Sequence, residues 1–121
     1  MPIDLHYICK RGENHRLVWP GVFDTGNWTA DDRTAELAVG GRIYLHQNQK
    51  TASWHGGTIT GWRSAPRPEN HRKIFTFEAD IDYKVLCPIP WSQQRAVVWW
   101  NDDRTVQMTQ TEYMKINRGT R

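Results

Sequence analysis

Residues 73–82, KIFTFEADID, alternate so strictly that they point to one kind of secondary structure. Phe75, Phe77, Ala79 and Ile81 fall on one side and Thr76, Glu78, Asp80 and Asp82 on the other. A strand imposes this period of two because its successive side chains point to opposite faces. One apolar face and one wet face is the pattern of an antiparallel strand. Similar readings predict strands over 3–9 (IDLHYIC, with Ile3, Leu5 and Tyr7 together), 42–47 (RIYLHQ), 57–62 (GTITGW) and 95–101 (RAVVWWN). The second and third of these read as a hairpin across the NQKTAS loop.

Two capping signals predict helices. Thr29 with Asp32 three residues on suits an N-cap and its reciprocal partner, opening a short helix over ADDRTAELA that ends before Gly40 and Gly41. Thr109 with Glu112 repeats the spacing and opens TEYMKI. KRGENHR (10–16) and APRPENHRK (65–73) read as polar loops, and the prolines of PIPW (88–91) force a turn or an extended crossing. The resulting order is β, α, β, β, β, β, α, with strands too closely spaced for a parallel α/β sheet. At 121 residues, the chain suits a single domain over 1–121, large enough to bury a core without disulfides or metal. The expected class is α+β, mainly β.

Chemistry is harder to find. His6, His15, His46, His55 and His71 are scattered, with no HxH, HxxxH, HExxH or CxxC spacing, so no metal site is expected. His46 alternates with Tyr44 and reads as a strand residue facing solvent. Ser53, Ser64 and Ser92 lie in no GxSxG elbow, and the glycines fit no phosphate-cradling pattern. No cofactor is expected. Asn101, Asp102 and Asp103 read as a turn. Cys9 and Cys87 sit in apolar stretches, and nothing at the N-terminus resembles a signal peptide or a membrane span. The expectation is a cytoplasmic protein, not bound to membranes, with both thiols buried and reduced.

What stands out is seven tryptophans, together with basic loops in a chain of net charge +3. Trp28 is the strangest, set in DTGNWTADD with Ala30 as its sole apolar neighbour. Lys10, Arg11, His15 and Arg16 flank one loop, and Arg63, Arg67, His71, Arg72 and Lys73 another. Cations neutralise phosphates and indole faces stack on unpaired bases, so this combination suits DNA or RNA. Lys10, Arg11, Arg63, Arg67, Arg72 and Lys73 are the expected phosphate contacts.

The segments YICKRGENHRL, GNWTADDRTAEL and GGRIYLHQNQKTASWHGGTITGW, followed by DIDYKVLCPIPW and MTQTEYMKI, resemble the PUA-like superfamily in its YTH and EVE branches. The resemblance implies a small twisted β-barrel with short flanking helices. It also implies an aromatic pocket that receives a modified base flipped out of DNA or RNA. On that pattern Trp28 matches the first wall of the cage, Thr29 the hydroxyl residue after it, and Lys10 the basic residue of the loop after the first strand. Trp54 and Trp62 are the candidates for a second wall. Gly12 stands where the YTH pattern has a base-reading amide, a departure that bears on which base is read. Two other readings fit the same residues: an ASCH-like amidohydrolase acting on a modified nucleoside through Lys10, Thr29 and Glu78, or a defence- or phage-associated protein-binding module whose tryptophans anchor an interface.

Overall fold

The strand Ile3–Ile8 (β1) is buried on both faces, Ile3, Leu5 and Tyr7 on one side and Asp4 and His6 on the other. Two neighbours hold it there. Arg42–His46 (β4) pairs with it in parallel and Arg95–Trp100 (β7) antiparallel. In this computed structural model, which describes residues 3–80, 84–92 and 94–119 with side chains through Lys115, these three strands are adjacent, all inside the edges of an eight-stranded sheet.

Beyond β4 comes His55–Ser64 (β5), its hairpin partner, then Arg72–Ala79 (β6). Val22–Thr29 (β3) follows, and His15–Trp19 (β2) forms that edge. Gln107–Met108 (β8) forms the other edge, beside β7. The order is β2-β3-β6-β5-β4-β1-β7-β8, and the sheet is open. Two short helices accompany it, Asp32–Ala38 (α1) and Gln110–Gly119 (α2). The chain is therefore mainly β, as its alternation predicts. Gly57 is required by packing, because a Cβ there would run into the Glu78 carbonyl of the neighbouring strand.

The sheet bends sharply. Strands β1 and β3 are separated by three others, yet Trp28 stacks on Tyr7, and the Thr29 carbonyl accepts bonds from the Tyr7 hydroxyl and from Arg95. Inside the bend lies the core of Leu5, Ile43, Leu45, Ile59, Phe75 and Phe77. Burying such side chains, at about 25 cal/mol per Å² of apolar surface, is the main force holding the curve.

Several expectations change. The 10–16 loop and the stretch after it hide a hairpin, β2–β3. Arg16 through Trp19 are all exposed on an edge strand, so no alternation marks them. Helix α1 is capped by Asp31, whose carboxylate accepts from the Thr34 amide, because Thr29 remains in β3 with its carbonyl already engaged. His46 is fully buried rather than solvent-facing, since residues 84–91 cross that side of the sheet. Strand β6 stops at Ala79, which is exposed; Ile81 and Asp82 lie outside the described residues. Cys9 is buried and Cys87 half-buried, both free. The Thr109 box forms as read, with Glu112 accepting from the Thr109 amide and Thr109 Oγ1 from the Glu112 amide. No helix among the described residues is long and apolar enough to cross a membrane.

Candidate nucleic-acid interface

The bend gives the sheet a concave apolar side and a convex polar side. On the convex side, Asp24 of β3 lies opposite Thr76 of β6 and Arg16 of β2. Arg63 reaches Asp24 from β5. The carboxylate accepts from Arg63 at 2.8 Å, Thr76 at 2.6 Å and Arg16 at 3.5 Å. Burial raises the Asp24 pKa, but the bonds from Arg63 and Thr76 outweigh it and hold the group below the usual carboxylate range. One carboxylate thus fixes two guanidiniums and leaves a local positive surplus.

Beside this cluster is a recess of about 460 Å³. Asn14, His15 and Arg16 form one wall and Gly26 and Asn27 another, with Pro66 and Ile74 as the apolar part. Its shape follows from two irregularities. The ladder between β3 and β6 slips between Thr25 and Trp28, a bulge of the kind that redirects side chains. Asn14 takes a positive φ of 60°, and its carbonyl accepts from Thr25 Oγ1 and the Gly26 amide, which ties the 10–14 loop to the bulge.

The predicted pocket residues do not converge on one cage. Trp28 lies in β3, not in a turn, and is 7% exposed; its indole donates to Thr25 Oγ1 and stacks on Tyr7. It is a core residue supporting the bulge from beneath, not an exposed rim. Trp54 is half-buried and donates to the Cys9 carbonyl. Trp62 is half-buried under the Lys73 ammonium. Lys10 and Gly12 are exposed on the loop after β1, where Gly12 has a positive φ of 85°. Thr29 is exposed at the far end of β3.

Of the predicted phosphate contacts, Arg63 lines the recess, and Arg72 donates to the Asn27 carbonyl while pairing with Glu69. Arg11 and Arg67 are exposed in the adjoining loops. Lys73 is different: 3% exposed, paired with Asp32 at 3.0 Å, it points inward because its neighbours Arg72 and Ile74 take the convex side. The hydrolase set also stays apart. Thr29 pairs with Arg72 and Glu78 with Val22, at opposite ends of the β3–β6 ladder.

Sequence reasoning missed Asn14, Asp24 and Asn27, which looked like turn residues. It also passed over Trp19, 70% exposed beside Leu17 and Val18 on the edge strand. The signal for Trp19 was the Pro20–Gly21 turn after it, which marks a hairpin. A larger cavity of about 760 Å³ lies between α1, β7 and the start of α2. With Asp31 and Glu112 against Arg95, it is poorly suited to phosphate. No group of three or more metal-ligating side chains occurs among the described residues. Comparison with models of protein families, with curated proteins and with solved structures finds no match.

Proposed function

We propose that this protein is a nucleic-acid-binding module of the PUA-like kind, taking an extruded, modified base into the Asp24 recess. The observation that carries the reading is the convergence of Arg16 and Arg63 on a buried carboxylate at the edge of that recess. Arginine forks held in place suit phosphate oxygens, and preorganisation lowers the ordering cost of binding. Arg67 and Arg72 extend the cationic surface along the same side.

The base site differs from an aromatic cage. Asn14 and Asn27 supply amides that can pair with a base edge, Asn27 while donating one bond to Glu69, and Pro66 and Ile74 supply apolar surface for an added alkyl group. Extrusion costs a few kcal/mol, least for an unpaired base, so single-stranded or mismatched targets are favoured. Trp19, three residues beyond Arg16 on β2, is an exposed platform for stacking a neighbouring base, worth about 1–3 kcal/mol.

The test is a fluorescence-anisotropy titration of oligonucleotides of one sequence, with and without a methylated base, over a range of salt. Affinity should fall with salt, favour the methylated strand, and drop in Arg63→Ala. Absent or salt-independent binding would overturn the reading in favour of a protein partner. Binding without preference would remove the base recess from it.

A further inference from the structure

We propose that the cavity between residues 85–88 and the convex face of β1, β4 and β7 is a second ligand site, for a small, neutral, planar heterocycle that donates an N–H to His6 Nε2. It is independent of the Asp24 recess. The strand registers set Asp4 and His6 of β1 beside Arg42 and Tyr44 of β4 and Val98 of β7. Val85, Leu86 and Pro88 cross over them and enclose about 380 Å³, within the usual range for small-molecule sites.

The polar groups here are nearly all spent on one another. Asp4 accepts from Arg104 at 2.6 and 2.7 Å, from Trp100 Nε1 at 3.0 Å and from the Arg42 amide at 3.0 Å. Arg42 pairs with Asp80, and Arg104 lies 5.6 Å over the Trp100 ring. Among the described residues each of the two guanidiniums already faces a carboxylate, which leaves neither open to an anion.

Among the described residues, hydrogen-bond logic identifies an acceptor left over on His6. The Thr51 carbonyl can only accept, so His46 Nδ1, 2.9 Å away, carries the proton. A neutral His46 then presents Nε2 as an acceptor, and His6 Nδ1, 2.8 Å from it, must donate. The proton of a neutral His6 is thereby fixed on Nδ1, which leaves a lone pair on Nε2. Both rings are held neutral: burial lowers each pKa, that of His6 to about 3 with help from the neighbouring His46. So low a basicity makes His6 a poor proton-abstracting base but leaves it a fixed acceptor. The His6 side chain is 1% exposed and lines the cavity, so an N–H reaching it is bonded away from water. The other walls are Val85, Leu86, Pro88 and Val98 with the rings of Tyr44 and Trp100, which suit a flat apolar body.

The experiment uses benzimidazole and 1-methylbenzimidazole as probes, followed by long-range ¹H–¹⁵N correlation of the histidine rings. The free protein should show His6 protonated on Nδ1 alone, and benzimidazole should shift the Nε2 resonance saturably. The methylated probe, lacking the donor, should bind about tenfold weaker or worse, because it leaves the buried acceptor unpaired. His6→Ala should lose the same factor. Should that variant fail to fold, Leu86→Trp narrows the mouth without touching the histidine pair and should exclude benzimidazole. A proton on His6 Nε2, equal affinity for both probes, no saturable shift, or unchanged binding to Leu86→Trp would each overturn the proposal.

Discussion

Tyr7 and Trp28 stack with ring centroids 4.5 Å apart and planes 13° from parallel, joining β1 to β3 across the inside of the bent sheet. The contact explains why an indole stands in a segment otherwise written in turn residues. In the DTGNWT stretch Asp24 faces the convex surface, while Thr25 turns inward with the indole and accepts its hydrogen bond. Covering comes from Tyr7, from across the fold, and local sequence gives no notice of it.

Trp28→Ala should therefore cost stability rather than ligand selectivity alone, by about 3–5 kcal/mol as for other large aromatic truncations. Trp28→Phe keeps a ring against Tyr7 and loses the bond to Thr25 Oγ1, a loss of about 0.5–1.5 kcal/mol. Urea denaturation of the three proteins measures both. A folded Trp28→Ala of unchanged stability would show that the stack carries no load.

The parts of the fold legible in sequence are those where a local rule and the tertiary environment agree. Phe75 and Phe77 alternate with wet residues because β6 has one covered face, and the Thr109 box closes because its amides have no competitor. His46 followed the same alternation but sits under residues 84–91, a crossing whose path the prolines did not reveal. For the helix start, the spacing pointed to Thr29 and the structure uses Asp31; the difference lies in Tyr7 and Arg95, distant residues that bond the Thr29 carbonyl. The candidate site was half legible for a similar reason. Loop arginines are visible as composition, whereas Asp24 acquires its role only when β5 and β6 bring Arg63 and Thr76 to it.

Stability should fall on mild acidification. His6, His46 and His55 all have pKa values lowered by burial, so below the ordinary histidine pKa of about 6.5 the unfolded chain binds protons that the native one refuses. The native state is then fully favoured above that value and loses stability as pH falls toward the lowered values, by at most about 1.4 kcal/mol per pH unit for each such ring. Asp24 acts lower down. Its depressed pKa contributes stability above about pH 3.9, lost as pH falls through the folded value. Denaturation midpoints between pH 8 and pH 3 check the limb, which His6→Gln should make shallower.

The thiols should differ in reactivity. Burial, aided by Glu13, pushes the Cys9 pKa up to about 12, and the side chain is 7% exposed. Cys87 is only half-buried, although burial raises its pKa also. A thiol reagent at neutral pH should modify Cys87 first and Cys9 only as the protein opens. Equal rates, or a disulfide between them, would contradict the structure.

Lys73 and Arg67 are cations six residues apart that should behave oppositely. Lys73 is enclosed between the Asp32 carboxylate and the Trp62 ring, so its charge is committed to holding α1 against β6. Arg67 is exposed in the 65–71 loop beside the recess, where a phosphate can reach it. Lys73→Ala should lower the denaturation midpoint and leave the salt dependence of oligonucleotide binding unchanged in whatever fraction folds. Arg67→Ala should leave the midpoint alone and reduce the slope of log affinity against log salt by about 0.7 for a single strand, the value for one phosphate contact. Measuring midpoint and slope on both variants separates the roles. A slope that falls in Lys73→Ala and holds in Arg67→Ala would mean that nucleic acid, if bound, approaches from the concave side.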